Sequence, residues 1–219
     1  MMNRRKWLAR LEYKLGKYAV GNLMAVVVGT MALVYLLDYM FIARIGTPFS
    51  TALDFERDAI FAGEIWRVFT FALLPPSTSF VFIIFSLYFY WMIGTVLERE
   101  WGAFRFNVFY IAGILGTIIG GFITGYASNF YLNMSLFFAF ALLYPEFELM
   151  LFFVIPVKIK YLAFADLLLY IYSIFVLPVS YKIAAIVSRV HVAIFFWAAF
   201  VGEIKRLKRN HELRSRFKR

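Results

Sequence analysis

The sequence predicts an all-α integral membrane protein, a bundle of six transmembrane helices with a membrane-associated first outer loop. Three observations carry this reading. Of the 219 residues, 63% are hydrophobic and only 16% charged, with a mean hydropathy of +0.76, whereas soluble domains hold roughly 45–50% apolar and about 25% charged residues. Charge-free runs recur along the chain at lengths near the ~20 residues that cross a bilayer as a helix. Lys and Arg collect in alternate connections, as the positive-inside rule requires of an inserted bundle. There is room for about six spans and none for a separate soluble domain of ~100 residues.

The elements follow in order. Ala19 to Leu37 is free of charge and continues past Asp38 to Ala43, giving a first span over about 22–43. That apolar segment is longer than a signal-peptide core of ~7–15 residues and no small-x-small cleavage site follows it, so it reads as a span. The charge-free run between Arg67 and Glu98 is broken by Pro75-Pro76-Ser77-Thr78-Ser79, a turn signal, which places span two over about 80–97. Phe106 to Pro145 is again uncharged and too long for one helix. With its turn at Gly125-Tyr126-Ala127-Ser128-Asn129, it yields spans three (106–125) and four (129–145). Leu149 to Val157 is too short to cross and reads as an interfacial piece. Spans five and six follow at about 161–177 and 183–204.

Six spans put both termini on one side. Lys and Arg number six in the N-terminal arm (1–20), two in each of the 98–105 and 145–160 loops, and eight in the tail (205–219), so 18 of 23 share that side. Both termini are therefore expected in the cytoplasm, with the 21–204 domain in a bacterial plasma membrane. The net charge of +10 becomes a signal for orientation and anionic lipid rather than for nucleic acid. In the arm, Trp7, Leu8, Leu11, Leu15 and Tyr18 form one helical stripe among basic residues, the pattern of a helix lying on a leaflet. The absence of cysteine excludes disulfides and thiol chemistry, and with only His191 and His211 as histidines no metal or other cofactor is expected.

Ionisable residues inside a membrane are functional candidates. Asp38 and Asp166 lie close enough to span ends to reach an interface and read as structural. Arg189 and His191 sit about 9–12 Å into span six from its outer end. Asn133 and Ser135 on span four lie at a comparable depth, so the four read either as a polar packing cluster or as a catalytic pair with its surroundings.

Four segments together resemble the rhomboid and derlin superfamily. Glu64 to Thr70, with Trp66-Arg67, looks like the Trp-Arg motif of its first loop. Gly94-Thr95-Val96-Leu97-Glu98-Arg99-Glu100-Trp101-Gly102 with Phe106 resembles the end of its second helix. Phe138 to Glu146 resembles its fourth, and Val190-His191 the Ala-His of its sixth. The order and spacing run from Gly63 to Gly202. The resemblance implies a derlin-like six-helix fold whose first loop is seated in the outer leaflet by Trp66 and Arg67.

Active members of that family use a Gly-x-Ser-Gly serine at the outer start of helix four, where free N–H groups form an oxyanion hole, with a helix-six histidine as base. Counting back from the helix-four match puts the nucleophile position at Phe130. The oxyanion-supporting His and Asn of helix two become Phe82 and Ser86, and the small residues after the histidine become Ala193, Ile194 and Ala198. The resemblance thus implies a pseudoprotease. It would bind transmembrane segments of client proteins between spans two and five, perturb the local bilayer, and act in membrane-protein quality control or trafficking. Its partners would be membrane lipids, clients, and a soluble cytoplasmic protein or a second copy, with Asn133, Ser135, Arg189 and His191 forming a polar patch in the former active site. The alternative is a divergent intramembrane serine protease using Ser135, or Ser128, with His191. A transporter would require inverted repeats or a continuous polar path, and neither is visible.

Overall fold

The structure, a computed structural model, describes residues 12–76, 79–151 and 155–176. Most of the N-terminal arm, the sixth predicted span with Arg189 and His191, and the basic tail lie outside the described residues. The described chain is mostly helical: α1 (Leu23–Ile45), α2 (Arg57–Phe61), α3 (Arg67–Thr70), α4 (Phe80–Trp101), α5 (Ala103–Thr124), α6 (Asn129–Leu143) and α7 (Ile159–Val176). The first five predicted spans thus correspond to α1, α4, α5, α6 and α7. Three helical stretches are long and apolar enough to cross a membrane: Glu12–Ile45, which contains α1, then α4 and α5. At 22 residues each, α4 and α5 extend about 33 Å, against a hydrocarbon core of ~30 Å.

Their side chains are distributed as lipid demands. On α5, Ile111, Leu115, Ile119 and Ile123 recur every four residues and are exposed, while Gly113, Thr117, Gly120 and Gly121 are buried. One face of the helix thus turns branched residues outward, while its buried face combines these small residues with Phe106, Phe109, Tyr110 and Ile118, the small residues letting a neighbour approach closely. On α1 a narrow stripe of Met24, Val27, Met31 and Val34 is buried and ends at Asp38, while Val26, Leu33, Leu36 and Met40 are exposed. Asp38 is occupied locally, its Oδ1 accepting from the Ser50 N–H at 2.6 Å.

Two close backbone approaches set the packing. A Cβ on Gly94 of α4 would stand 1.9 Å from Met24 Cγ and 2.6 Å from Met24 Cβ of α1, and a Cβ on Gly121 of α5 would stand 2.7 Å from the Phe55 ring. The first contact brings α1 against α4. The second seats Phe55, fully buried and edge-on to Phe71 and Phe122, so the first loop is anchored on α5.

The start of α1 is stitched to the α4–α5 turn. Asn22 has left-handed backbone angles and its side chain makes no cap. The exposed first N–H groups of a helix need acceptors and favour negative charge. Glu98 supplies both, accepting from Asn22 N at 2.7 Å and Leu23 N at 3.2 Å. Asn107 pairs with both the N–H and the carbonyl of Val20, and Arg105 bridges to Glu12 at 3.2 Å. Glu98→Ala is expected to lower stability by about 1–2 kcal/mol, the usual loss when a helix cap is removed. Thermal unfolding in detergent measures it, and a change below experimental error would show that Glu98 does not hold α1.

Two short pairings qualify the all-α expectation. Strand β1 (Phe55–Glu56) pairs antiparallel with β2 (Tyr126–Ala127), and β3 (Glu148–Leu151) with β4 (Ile155–Lys158). The segment expected as an interfacial loop is therefore a hairpin, because pairing satisfies the backbone groups of a stretch too short to cross. Glu146 closes its base with Lys158 and Lys160, and hydrogen bonds from both lysines hold the Glu146 carboxyl down at about 2.

Candidate functional site

The α6 helix is short and central. Its 15 residues rise about 22 Å, and it packs on α4, α5 and α7. Its first turn lies against the loop between α1 and α4. The Asn129 amide donates to Leu74 O at 2.7 Å, Ser128 Oγ accepts from Phe130 N at 3.2 Å as the helix cap, and the β1–β2 pairing runs alongside.

That loop is organised by the Trp-Arg motif. The Trp66 indole donates to Ala52 O at 2.9 Å, the Arg67 guanidinium to Thr51 O at 2.8 Å and Asp54 O at 3.0 Å, and the Thr70 hydroxyl to Leu53 O at 2.8 Å. Three side chains, two of them adjacent in sequence, therefore satisfy four consecutive carbonyls, those of residues 51–54. Arg67 is buried and also pairs with Glu64. Burial lifts the Asp54 carboxyl above its usual range by more than Arg67 lowers it. On the outside of the same loop Phe61, Ile65, Trp66 and Phe69 are exposed.

Between α4, α6 and α7 lies a cavity of about 400 Å³. From α4 come Phe85, Ser86, Phe89 and Tyr90, two pairs one turn apart. From α6 come Phe130, Asn133, Met134 and Phe137, at the i, i+3, i+4, i+7 spacing of a single face. Leu162 and Ala165 of α7 line it as well. Phe85 and Phe89 stack, and Phe89 leans on Phe137, so the walls are largely aromatic. No charged side chain lines the cavity among the described residues.

The structure brings three of the sequence candidates together here: Phe130 and Ser86, which the resemblance would put at the nucleophile and one oxyanion position, and Asn133. Others lie elsewhere. Phe82 is half exposed on α4 and does not line the cavity. Ser135 follows Asn133 by two residues, about 200° around the helix. It is buried away from the cavity, with its hydroxyl donating to Leu132 O at 2.6 Å. Ser128 serves as the cap described above.

Asn133 stands out chemically. It is 2% exposed, and among the described residues neither Nδ2 nor Oδ1 has a hydrogen-bond partner of good geometry. The Tyr90 phenol is the polar group nearest the amide, and the buried Tyr110 hydroxyl, near Tyr90, has no partner among the described residues. Sequence reasoning missed both tyrosines, because tyrosine is common in apolar segments; the available signal was that both lie inside charge-free runs. An unpaired buried polar group costs roughly 1–3 kcal/mol. Asn133→Leu, close in size and without polar atoms, is therefore expected to raise stability by about 1–3 kcal/mol. A lower melting temperature for this variant would show that the amide has a partner.

Among the described residues no group of three or more His, Asp or Glu could hold a metal ion. No family model matches the chain, and no curated protein matches it.

Proposed function

We propose that the chain is a six-span, rhomboid-like membrane protein without protease chemistry, which receives transmembrane segments of client proteins in the cavity among α4, α6 and α7. The observation that carries this reading is the make-up of the cavity. At the start of α6, where a rhomboid protease would keep its serine, the lining residue is Phe130, and a phenyl ring cannot attack a carbonyl. The hydroxyls of Ser128 and Ser135 are engaged with backbone groups, and a base without a positioned nucleophile is no hydrolase. The walls that the described residues provide are aromatic and uncharged and suit an apolar guest.

Supporting the remainder of the reading, the exposed Phe61, Ile65, Trp66 and Phe69 give the first loop an apolar face suited to lie in the outer leaflet and disturb lipid packing there. The 18 of 23 basic residues on one side support cytoplasmic termini. A role in membrane-protein quality control or trafficking follows from the resemblance.

The test reconstitutes the full chain in proteoliposomes with a photo-crosslinking phenylalanine analogue at position 130 and a panel of defined single-span membrane proteins. Crosslinks to the spans of intact panel members are expected, weakened when Leu162→Trp fills the cavity. Cleavage of panel members, abolished by both Ser135→Ala and His191→Ala, would overturn the proposal.

A further inference from the structure

The outer face of the β3–β4 hairpin changes character along its length. Residues paired across the ladder share a face and successive residues alternate, so Glu148, Lys158, Met150 and Pro156 lie on one face and Leu149 and Val157 on the other. Leu149 is buried in the core, while Met150 is 57% exposed and Pro156, opposite it, is exposed as well. A hairpin over water is apolar toward the core and polar along the whole of its outer face. Here the outer face is charged at its base, where Glu148 stands opposite Lys158, and apolar one pair further out on the same side. The residues that join the two strands in sequence, Phe152-Phe153-Val154, lack the Gly, Asn or Asp of hairpin loops in water.

We propose that the hairpin is an interfacial wedge seated in the phospholipid leaflet beside the α6–α7 turn, with its Met150 and Pro156 face at the acyl-chain boundary and its charged base among the headgroups. The inference rests on reading α6 and α7 as membrane spans and is independent of client binding.

Two observations select a bilayer as the occupant. The first is continuity. The hairpin leaves the end of α6 and returns into α7, and both helix ends are exposed and apolar, at Leu142, Leu143, Tyr161 and Phe164. The Ile159 N–H donates to Phe147 O at 2.8 Å and the Lys160 N–H to Pro145 O at 3.3 Å, which fixes the base to the two helix ends. With strands of four residues, about 13 Å long, the apolar patch at Met150 extends the surface that α6 and α7 turn to lipid. The second is charge. Glu146 pairs with Lys158 and Lys160, and Glu148 faces Lys158, so the two carboxylates and two ammonium groups of the base balance. Such a base offers no net charge to an acidic or basic protein surface and matches a headgroup layer that carries both signs.

The ladder itself sets the depth. A sheet of two strands keeps unpaired backbone groups along its outer edges, which the hydrocarbon core does not tolerate. Pro156 contributes no N–H that would need a partner. A depth of about 5–10 Å, the range of interfacial elements, covers the apolar face while water and headgroups still reach the edges. Leu162, which lines the cavity, lies one turn beyond Ile159, so a hairpin seated in the leaflet fixes the height of that cavity wall.

The chain contains no cysteine, so single-cysteine variants of the full chain report position directly. Met150→Cys, Pro156→Cys and Glu148→Cys are labelled with an environment-sensitive fluorophore in phosphatidylcholine nanodiscs, with Leu168→Cys, exposed near the middle of α7, as the control for the span. Quenching is measured with aqueous iodide and with phospholipids carrying a nitroxide either near the carbonyls or near the chain end, and thermal unfolding reports that each variant folds. Labels at 150 and 156 are expected to be quenched most by the shallow nitroxide, and several-fold less by iodide than the label at 148. Iodide quenching at 150 and 156 equal to that at 148 would overturn the wedge. Protection of both positions from iodide and from either nitroxide would overturn it in favour of a protein contact. In both cases a Leu168 label quenched by the deep nitroxide leaves the span reading standing. A Leu168 label open to iodide would overturn the span reading and the wedge with it.

Discussion

Gly94→Val is expected to unseat α1 from α4 and to lower stability by about 3 kcal/mol or more, at the upper end of what overpacking costs. The reason is geometric. Even the first carbon of a side chain at position 94 would lie 1.9 Å from Met24 Cγ and 2.6 Å from Met24 Cβ. A rotamer change can move Cγ, but Cβ is fixed to the α1 backbone, so the two helices must separate. Separation would also draw the start of α1 away from Glu98, which lies one turn beyond Gly94 and accepts from Asn22 and Leu23. Two contacts should therefore fail together. Met24→Ala in the Gly94→Val background removes only the Cγ clash, so recovery is expected to be partial, and the double-mutant cycle should show coupling between the two positions. Melting of Gly94→Val within about 0.5 kcal/mol of the wild type, the spread of ordinary surface substitutions, would show that α1 does not approach α4 as described.

The same pair of helices shows what could be read from the sequence. The expected span at 80–97 continues as a helix to Trp101, because Glu98, Arg99 and Glu100 end a hydrophobic run without ending backbone hydrogen bonding. Charge marks the membrane boundary, and Gly102 marks the helix boundary. The Trp-Arg pair was legible as a motif, but its partners were not, since they are the backbone carbonyls of residues 51–54 and carry no sequence signature. The β3–β4 hairpin was hidden for a related reason: Pro156 sits inside a strand, where proline argues against pairing, and the register is clasped by Glu146 with Lys158 and Lys160.

The candidate site was legible in part. Asn133 was conspicuous as an amide well inside an apolar helix, but separating it from Ser135 required knowing which way α6 faces. A helix apolar on all sides carries no periodic signal for its own rotation. The three-dimensional packing supplies that phase, placing Phe130, Asn133 and Phe137 toward the cavity and Ser135 away from it. Small residues are a better guide on α5, where Gly113, Gly120 and Gly121 lie on the packed face.

Arg67→Met should have the second large effect, and it should reach the cavity without touching it. The substitution leaves Thr51 O, Asp54 O and the Glu64 carboxylate without their guanidinium partner. Two lost charge-assisted bonds amount to roughly 3 kcal/mol, with less expected from Glu64, which is partly exposed and solvated. Arg67→Lys should recover less than half, because a single ammonium cannot span two carbonyls and a carboxylate as the planar fork does. With the carbonyls of Thr51 and Asp54 freed at the two ends of the 51–54 turn, the turn that positions Phe55 is loosened. Phe55 is the side chain packed on Gly121, and its backbone pairs with Ala127 immediately before α6. The start of α6 would then be held chiefly by Asn129 on Leu74, and Phe130 at the cavity would lose its fixed position. Limited proteolysis in proteoliposomes should show faster cleavage within 46–75 for Arg67→Met, and crosslinking from position 130 should fall in the same sample. Wild-type proteolysis of that loop in the variant would sink the role given to Arg67. Faster proteolysis with unchanged crosslinking would separate the loop from the cavity and show that α6 is held in place without it.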